Sequence, residues 1–445
     1  MNDLQEDLQI PKEINQMIRT LEENGYEAYL VGGSVRDFLL GKKGADWDIT
    51  TNATCEEMEG CFTLEKVIPT GKAHGTLTII KEGVVAEVTT YRIDGEYEQN
   101  RKPKWVSFTT KLEEDLRRRD FTINAMAYHP KTGVVDLFHG KEDLQKGILR
   151  TVGQSQARFG EDALRILRCL RFAAQLDFTI HKDTEKGLFD QMDLLDHISA
   201  ERKQAEISKL ICGKGAGRIC SQYKEILAKV MPEIRPMFHL EQQNPYHRYD
   251  VWEHSIRVME NISPDPVLRL TALLHDVGKP GCKTVDEQGI GHFYGHEFLG
   301  ETLAESVLTT LKYDNETKKR VKTLIKHHNI VLIPEGRQAK RLLNKLGEKA
   351  VFDLIQLELA DVRGQESKNI PERVDNIMAF KARVEELLAQ GACFSLKDLD
   401  LSGKDLLAAG VPQGPLIGET LNRLLNEVME GRLSNKKEIL LKNLK

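Results

Sequence analysis

Asp46 and Asp48 are separated by a single residue, Trp47, in a stretch that reads as a strand, so both carboxylates point to one face. Two hard oxygen groups placed this way suit Mg²⁺, and two such ions can clamp an attacking hydroxyl and a leaving pyrophosphate. Glu87, in a second strand-like run, is a candidate third carboxylate. Upstream, Leu30-Val31-Gly32-Gly33-Ser34-Val35-Arg36-Asp37 ends a short strand on two glycines, where backbone N–H groups can approach a triphosphate closely. Downstream, Arg117-Arg118-Arg119 precedes Asp120-Phe121-Thr122-Ile123-Asn124-Ala125. Three consecutive arginines repel one another unless something anionic lies opposite, and Asn124 is placed to hydrogen-bond a ribose at a nucleotide-facing helix start. In Glu161-Asp162-Ala163-Leu164-Arg165, continuing to Phe172, Arg165, Arg168 and Arg171 recur every third residue beside the apolar stripe Leu164, Leu167 and Leu170. Together these residue types point to nucleotide and metal chemistry.

A second constellation lies further along. Seven of the thirteen histidines fall between 247 and 328, and the order runs His254, His275-Asp276, His292, His296, His327-His328 and then Asp361. Imidazole with carboxylate suits a transition metal such as Ni²⁺, Mn²⁺, Fe²⁺ or Zn²⁺. A bound metal of this kind lowers the pKa of water and lets it attack a phosphoester. This order, on helices, resembles the HD phosphohydrolase domain. His254, His275, Asp276 and Asp361 are the ligand candidates, with His296 and His327 available for a second metal or the phosphate.

These residues must be positioned by a large scaffold. The chain has 445 residues, enough for about three domains. It is 29% charged and 40% hydrophobic, which excludes global disorder and a collagen-like repeat. The net charge of −5 confines any nucleic-acid surface to a local basic patch. No apolar run approaches the ~20 residues of a membrane span, and the acidic start lacks a signal-peptide pattern. Seven cysteines without a CxxC pair fit a reducing compartment. A cytoplasmic protein with no membrane association is expected.

Apolar spacing predicts an amphipathic helix from residue 12, stopped by Asn24-Gly25, and then a strand over 28–31. Strands follow at 48–50, 76–80, 84–90, 106–108 and 134–137. After Val152 helical periodicity takes over, at 163–174, 200–211, 251–261, 268–274, 299–311, 318–327, 349–360 and 417–430. Composition suggests seams near 150, near 233–236 and around 365–390. The fold class is α+β: a head with a mixed sheet and helices, followed by an all-α remainder.

The series Leu30-Val-Gly-Gly-Ser-Val-Arg-Asp, Asp46-Trp-Asp, Arg118-Arg-Asp-Phe-Thr-Ile-Asn-Ala and Glu161-Asp-Ala-Leu-Arg resembles, in order and spacing, the class II tRNA nucleotidyltransferase and bacterial poly(A) polymerase family. Ile198-Ser-Ala-Glu-Arg-Lys-Gln-Ala-Glu-Ile-Ser-Lys looks like that family's neck motif, and the resemblance is strong over 25–235. The tail, from Gly414-Pro-Leu-Ile-Gly through Gly431-Arg-Leu-Ser-Asn, is similar to bacterial CCA-adding members. The resemblance implies a nucleotidyltransferase head at 12–150, a helical neck with a base-reading helix at 151–235, an HD domain at 236–370 and a helical tail at 371–445. It implies that Gly33 and Arg36 contact phosphates, that Asp46 and Asp48 hold Mg²⁺ and catalyse, and that Arg119 faces the nucleotide. Asp162 and Arg165 would read the incoming base, with Arg168 and Arg171 nearby.

The chemistry of that reading stands on its own. Residues at i and i+3 share a helix face. A carboxylate accepts from an exocyclic amine and a guanidinium donates to a ring nitrogen, a pattern that C and A satisfy and U and G invert. The segment Tyr91 to Val106 looks like the flexible loop of complete CCA-adding enzymes, and Ile68-Pro-Thr-Gly-Lys-Ala-His-Gly-Thr like their version of that region. The implied partners are the tRNA 3′ end and acceptor arm, with CTP and ATP; oligomeric state is left open. The rival readings are an A-adding enzyme or poly(A) polymerase, and an HD hydrolase whose N-terminal half only binds RNA.

Overall fold

The computed structural model describes residues 10–42, 46–95, 97–98, 102–103, 105–243, 248–366 and 369–444. It divides into two compact units, Met1–Val230 and Met231–Lys445.

In the first unit, helix α1 (Lys12–Glu23) buries Ile14, Met17, Ile18 and Leu21, the i, i+3, i+4, i+7 stripe of an amphipathic helix. Seven strands form the sheet: β1 (Ala28–Val31), β2 (Trp47–Thr51), β3 (Lys66–Gly71), β4 (Thr76–Lys81), β5 (Val84–Thr90), β6 (Met126–His129) and β7 (Gly133–Asp136), in the order β7-β6-β1-β2-β5-β4-β3. Within this sheet, among the described residues, β2 and β5 pair in parallel and the other neighbours antiparallel, and the β2–β5 register sets Asp48 beside Glu87. The sheet is therefore mixed. Helix α2 (Gly33–Leu39) follows β1 directly, and α3 (Leu112–Arg117) precedes the arginine run. Three further helices, α4 (Ser155–Glu161), α5 (Leu164–Leu176) and α6 (Ala200–Ile211), complete what the site needs.

Three elements depart from the sequence expectation here. The base-reading helix begins at Leu164, and Asp162 precedes it in an extended conformation, φ −133° and ψ 105°. Asp162 and Arg165 are thus not two positions on one helix face. Strands β3 and β6 were not foreseen: β3 mixes Pro and Gly with its apolar residues, and β6 is buried at all four positions and so lacks alternation.

The second unit is helical. Its core helices are α7 (Val251–Glu260), α8 (Pro266–Leu274), α9 (His296–Thr310), α10 (Asn315–His327), α11 (Glu348–Gly364), α12 (Ile370–Ala389) and α13 (Pro415–Met429). The stretch whose composition reads as a seam carries α12, a 20-residue helix. Its Ile377, Phe380, Val384 and Leu387 recur at helical spacing and share a core with Val351, Ile355 and Val362. Among the described residues, no helix is long and apolar enough to cross a membrane.

Candidate functional site

A cavity of about 710 Å³ in the first unit is lined by Gly32, Gly33, Arg36, Asp46, Asp48, Arg119, Asn124, Asp162, Arg165, Arg168 and Arg171, so the four separate motifs meet in one place. Strand β1 delivers Gly32 in the left-handed region at φ +74°, where a side chain would be strained. A Cβ there would lie 3.2 Å from Arg119 Nη1 and 3.6 Å from Asp48 Oδ2, so the absent side chain is what lets this turn approach both. Asp46 is exposed just ahead of β2, and Asp48 is half-buried on it. Burial pushes the Asp48 carboxyl above its usual range; Arg119 opposes this, while Glu87 and Asp46 add to it. Crowded carboxylates of this kind gain from a bound cation.

The arginines are held by acids. Asp115, fully buried on α3, accepts from Arg118 (Nε 3.0 Å, Nη2 2.8 Å) and from Arg119 Nη2 (3.0 Å). Burial raises its pKa, but Arg119 and Arg118 outweigh this and hold it low. Arg117, by contrast, is exposed and pairs with Glu113 one turn back. Arg36 is buried, donates to both oxygens of Asp37 (2.9 and 2.8 Å) and reaches Asn124 Oδ1 at 2.7 Å. Asn124 in turn donates to Asp120 Oδ1 at 3.1 Å. Its oxygen and one N–H are therefore engaged inside the protein, as a brace between Arg36 and Asp120 rather than as a group turned wholly to a ribose.

Asp120 also accepts from Arg168 through Nε (2.9 Å) and Nη2 (2.6 Å). Burial pushes Asp120 up, yet Arg168 and Asn124 bring it down to about 2. Arg171 donates to Glu206 (2.5 Å) and Gln175 (2.9 Å), and Arg165 donates to the carbonyls of Arg158 (3.0 Å) and Arg118 (3.2 Å) and pairs with Glu161. The expected arginine stripe is thus not a solvated flank, since Arg165 and Arg171 are buried. The guanidiniums of Arg171, Arg36 and Arg168 lie 3.9, 5.0 and 5.3 Å from the centre of the Phe172 ring, within cation–π range. Asp162 accepts from the Leu164 N–H through Oδ1 (3.1 Å) and from Arg202 through Oδ2 (2.9 Å).

Sequence reasoning missed Asp115, Asp120, Phe172, Arg202 and Glu206 as site residues. Arg202 and Glu206 lie four apart within the quoted neck motif, and that spacing was the available signal. Residues 96, 99–101 and 104 of the expected flexible loop lie outside the described residues.

In the second unit, His254 from α7, His275 and Asp276 just after α8, and Asp361 from α11 converge. His254 Nε2 is 2.9 Å from Asp361 Oδ1 and 3.7 Å from Asp276 Oδ2. His275 Nε2 is 3.2 Å from Asp276 Oδ2 and 3.7 Å from Asp361 Oδ1. The ligand atoms of His254, His275 and Asp276 all lie within 4.8 Å of one another, a donor set that fits a transition metal. Without a cation, burial lowers His275 but the two aspartates raise it to about 10, and both aspartates stay well below the usual carboxylate range. The site opens on a cleft of about 720 Å³.

His296 joins this region as expected, but His327 does not. Its Nδ1 faces the Thr323 carbonyl at 2.8 Å, and the next residue, His328, turns inward to Asp276 instead. One residue is about 100° of helix rotation, enough to move a ring from one face to another. His292 pairs with Asp286 (2.9 Å) at the cleft wall and is outside the cluster.

Residues 28–150 match the poly A polymerase head domain family, 177–237 the RNA and SrmB-binding site of polymerase A, and 296–444 the tRNA nucleotidyltransferase domain 2 family. A CCA-adding enzyme of Geobacillus thermodenitrificans is 32% identical over 437 residues, covering 95% of this chain and 93% of the relative. One from Levilactobacillus brevis is 33% identical, covering 95% of each. Among solved structures, the Bacillus stearothermophilus CCA-adding enzyme in complex with CTP superposes with a TM-score of 0.70 at 28% identity, covering 97% of this chain and 96% of that one. The fold is also that of the Thermotoga maritima CCA-adding enzyme complexed with tRNA, with a TM-score of 0.61 at 19% identity, covering 100% of this chain and 99% of that one.

Proposed function

The chain belongs to the CCA-adding tRNA nucleotidyltransferase family, and from that membership we propose how its residues divide the work. The enzyme adds or repairs the 3′-terminal CCA of tRNA from CTP and ATP. The observation that supports the assignment is that Asp46, Asp48, Asp162 and Arg165 line one cavity. Nucleotidyltransferases of this family use Mg²⁺, and Asp46 and Asp48 are the residues that would hold it. Bound there, the ion supplies charge stabilisation to the attacking 3′-hydroxyl and the leaving pyrophosphate. Gly32 and Gly33 bring backbone amides to the triphosphate. Arg36 and Arg119 set fixed positive charge beside that turn, where negative charge develops during transfer.

Asp162 accepts the exocyclic amine of C or A, and Arg165 donates to the neighbouring ring nitrogen. U and G would set a carbonyl against the carboxylate and an N–H against the guanidinium. Each mismatched buried group costs about 1–3 kcal/mol, which favours C and A by several orders of magnitude when both contacts fail. The helical neck and tail grip the acceptor arm by shape and backbone charge. The division proposed is a head at 12–150, a neck at 151–235, an HD domain at 236–370 and a tail at 371–445, in a cytoplasmic protein.

Extension of a tRNA ending at its discriminator base, with each NTP in turn, tests the assignment. Ordered C, C, A incorporation is expected, whereas long A tails would favour a poly(A) polymerase. Full incorporation by Asp46→Ala would refute the metal assignment. A second activity is favoured by the convergence of His254, His275, Asp276 and Asp361 on an open cleft: hydrolysis of phosphoesters, with a transition metal in that set. Phosphate release with Ni²⁺ or Mn²⁺ should disappear in His275→Ala, and equal release by the variant and the wild type would remove this claim.

A further inference from the structure

We infer that Phe172 is a positioning residue for nucleotide binding: its ring gathers the guanidiniums of Arg36, Arg168 and Arg171, and so fixes the glycine turn that meets the phosphates against the helix that carries Arg165. The inference rests on reading the cavity of the first unit as the transfer site, and it adds to that site an uncharged side chain.

Phe172 lies on α5, four residues after Arg168 and one after Arg171, and it lines the cavity although it is only 7% exposed. Residues four apart share a helix face, which sets the Arg168 guanidinium over the ring, 5.3 Å from its centre. Arg171 curls back to 3.9 Å, and Arg36 reaches the same ring from α2 at 5.0 Å. All three lie within the ~6 Å over which an aromatic face attracts a cation. Phe121 meets the ring edge-on, with centres 5.9 Å apart and planes at 80°, and so holds its orientation. Phe121 is itself fully buried and follows Asp120, the carboxylate that receives Arg168.

Three cations around one side chain repel one another, and burial strengthens the repulsion. Arg36 and Arg171 are both buried. Burial lowers the Arg171 pKa and the neighbouring Arg168 charge adds to this, while Glu206 opposes both. Each arginine has an acid of its own, but the acids belong to different elements: Asp37 to α2, Asp120 to the segment after the arginine run, Glu206 to α6. The ring is a contact common to all three. A guanidinium that meets a π face keeps its N–H groups for other partners and keeps its charge. Here those groups remain on Asp37, Asn124, Asp120 and Glu206. A leucine would fill much of the same space without a negative face, and a carboxylate would compete with Asp46 and Asp48 for divalent ions. The base-reading residues have other supports: Asp162 accepts from Arg202, and Arg165 donates to the carbonyls of Arg158 and Arg118. Weakening the ring's negative face should therefore loosen the hold on the triphosphate and leave the choice of base as it was.

The full-length protein is made with phenylalanine bearing none, one, two or three ring fluorines at position 172, by nonsense suppression. Fluorine drains the negative face while barely changing the shape. KM and kcat for CTP are measured with Mg²⁺ on a tRNA ending at its discriminator base. The logarithm of KM should climb in near-equal steps, to about tenfold with three fluorines, with kcat changed by less than about twofold. Preference for CTP over UTP should stay constant through the series. A flat KM would overturn the inference even if Phe172→Leu is impaired, because the ring would then only fill space. A fall in kcat at constant KM, or a loss of preference for CTP, would overturn it as well. Failure of the unmodified protein to add C would sink the assignment of the cavity and this inference with it, whereas a flat series in an active enzyme sinks the inference alone. Circular dichroism melting of each protein separates these results from a loss of fold.

Discussion

Replacing Asp120 by asparagine removes one charge from the bottom of the nucleotide cavity and leaves the shape almost unchanged. The carboxyl is held at about 2, against an ordinary 3.8. At about 1.4 kcal/mol per pKa unit, that difference is worth on the order of 2–3 kcal/mol of stability at neutral pH. The amide also lacks an acceptor on one side. Asp120 Oδ1 takes the Phe121 N–H (2.9 Å) and the Asn124 side chain, and Oδ2 takes Arg168, so an amide NH₂ must face a donor whichever way it turns. Such an unmatched buried pair brings the expected loss to about 3–5 kcal/mol, the range for breaking a buried ion pair from one side. Because the native pKa lies below the unfolded one, the wild-type gain is complete above about pH 5 and fades as pH falls toward 2. The variant has no such proton to bind. Urea unfolding followed in the first unit should therefore show a gap between the two proteins that is widest near neutrality and narrows between about pH 4 and pH 2. A gap below 1 kcal/mol, or one that does not change with pH, would refute the account of Asp120 as the charged anchor of Arg168.

Asp48→Asn removes a carboxylate that burial and its neighbours already push toward protonation, a charge that opposes folding at neutral pH. Without divalent ions its melting temperature should not fall below that of the wild type, yet nucleotide incorporation should drop about a thousandfold, roughly 4 kcal/mol of transition-state stabilisation. Arg202→Ala unties Asp162 Oδ2; kcat/KM for CTP and ATP should fall about 10- to 100-fold, on the order of 1–3 kcal/mol, with a narrower margin over UTP and GTP. Arg202→Lys should restore part of that margin in the same misincorporation assay, and unaltered selectivity in the alanine variant would sink the role. Gly32→Ala forces a side chain into φ +74° and toward Arg119, a strain of about 1–3 kcal/mol. Weaker CTP binding by calorimetry is expected, and unchanged affinity would contradict it.

What could be read in the sequence was whatever lies close together along the chain. Asp46 with Asp48, the Gly32-Gly33 turn, and His275 with Asp276 announce themselves by spacing alone. What could not be read were the ties that span it. Arg168 and Asp120 are 48 residues apart, and Arg202 and Asp162 are 40 apart. No local pattern says that these charges will be buried against each other. The choice between His327 and His328 turned on helix phase, which the packing of Val321, Leu324 and Ile325 on α10 fixes. Asp162 was misplaced because its i, i+3 spacing to Arg165 extends the helical run of 163–174 one residue upstream, where the chain is in fact extended. Helix α12 escaped notice because its charged face dilutes an apolar stripe that only the folded core reveals.

The charge pattern of the nucleotide cavity leads to a last expectation. Seven arginines reach it or brace it, and each is already paired: Arg36 with Asp37, Arg118 and Arg119 with Asp115, Arg165 with Glu161, Arg168 with Asp120, Arg171 with Glu206 and Arg202 with Asp162. Among the described residues, Asp46 and Asp48 have no cationic partner in an ion pair, and Glu87 stands beside them in register. A triphosphate arriving alone, with about four negative charges, would meet arginines that are largely neutralised and carboxylates that are not. Arriving with two divalent ions, it carries almost no net charge and supplies the cations that the aspartates lack. CTP titrated calorimetrically into the protein should therefore bind far more weakly in EDTA than in Mg²⁺, and Asp46→Asn with Asp48→Asn together should erase most of that difference. Equal affinity with and without the metal would mean that the arginines, and not the acidic pair, receive the triphosphate charge.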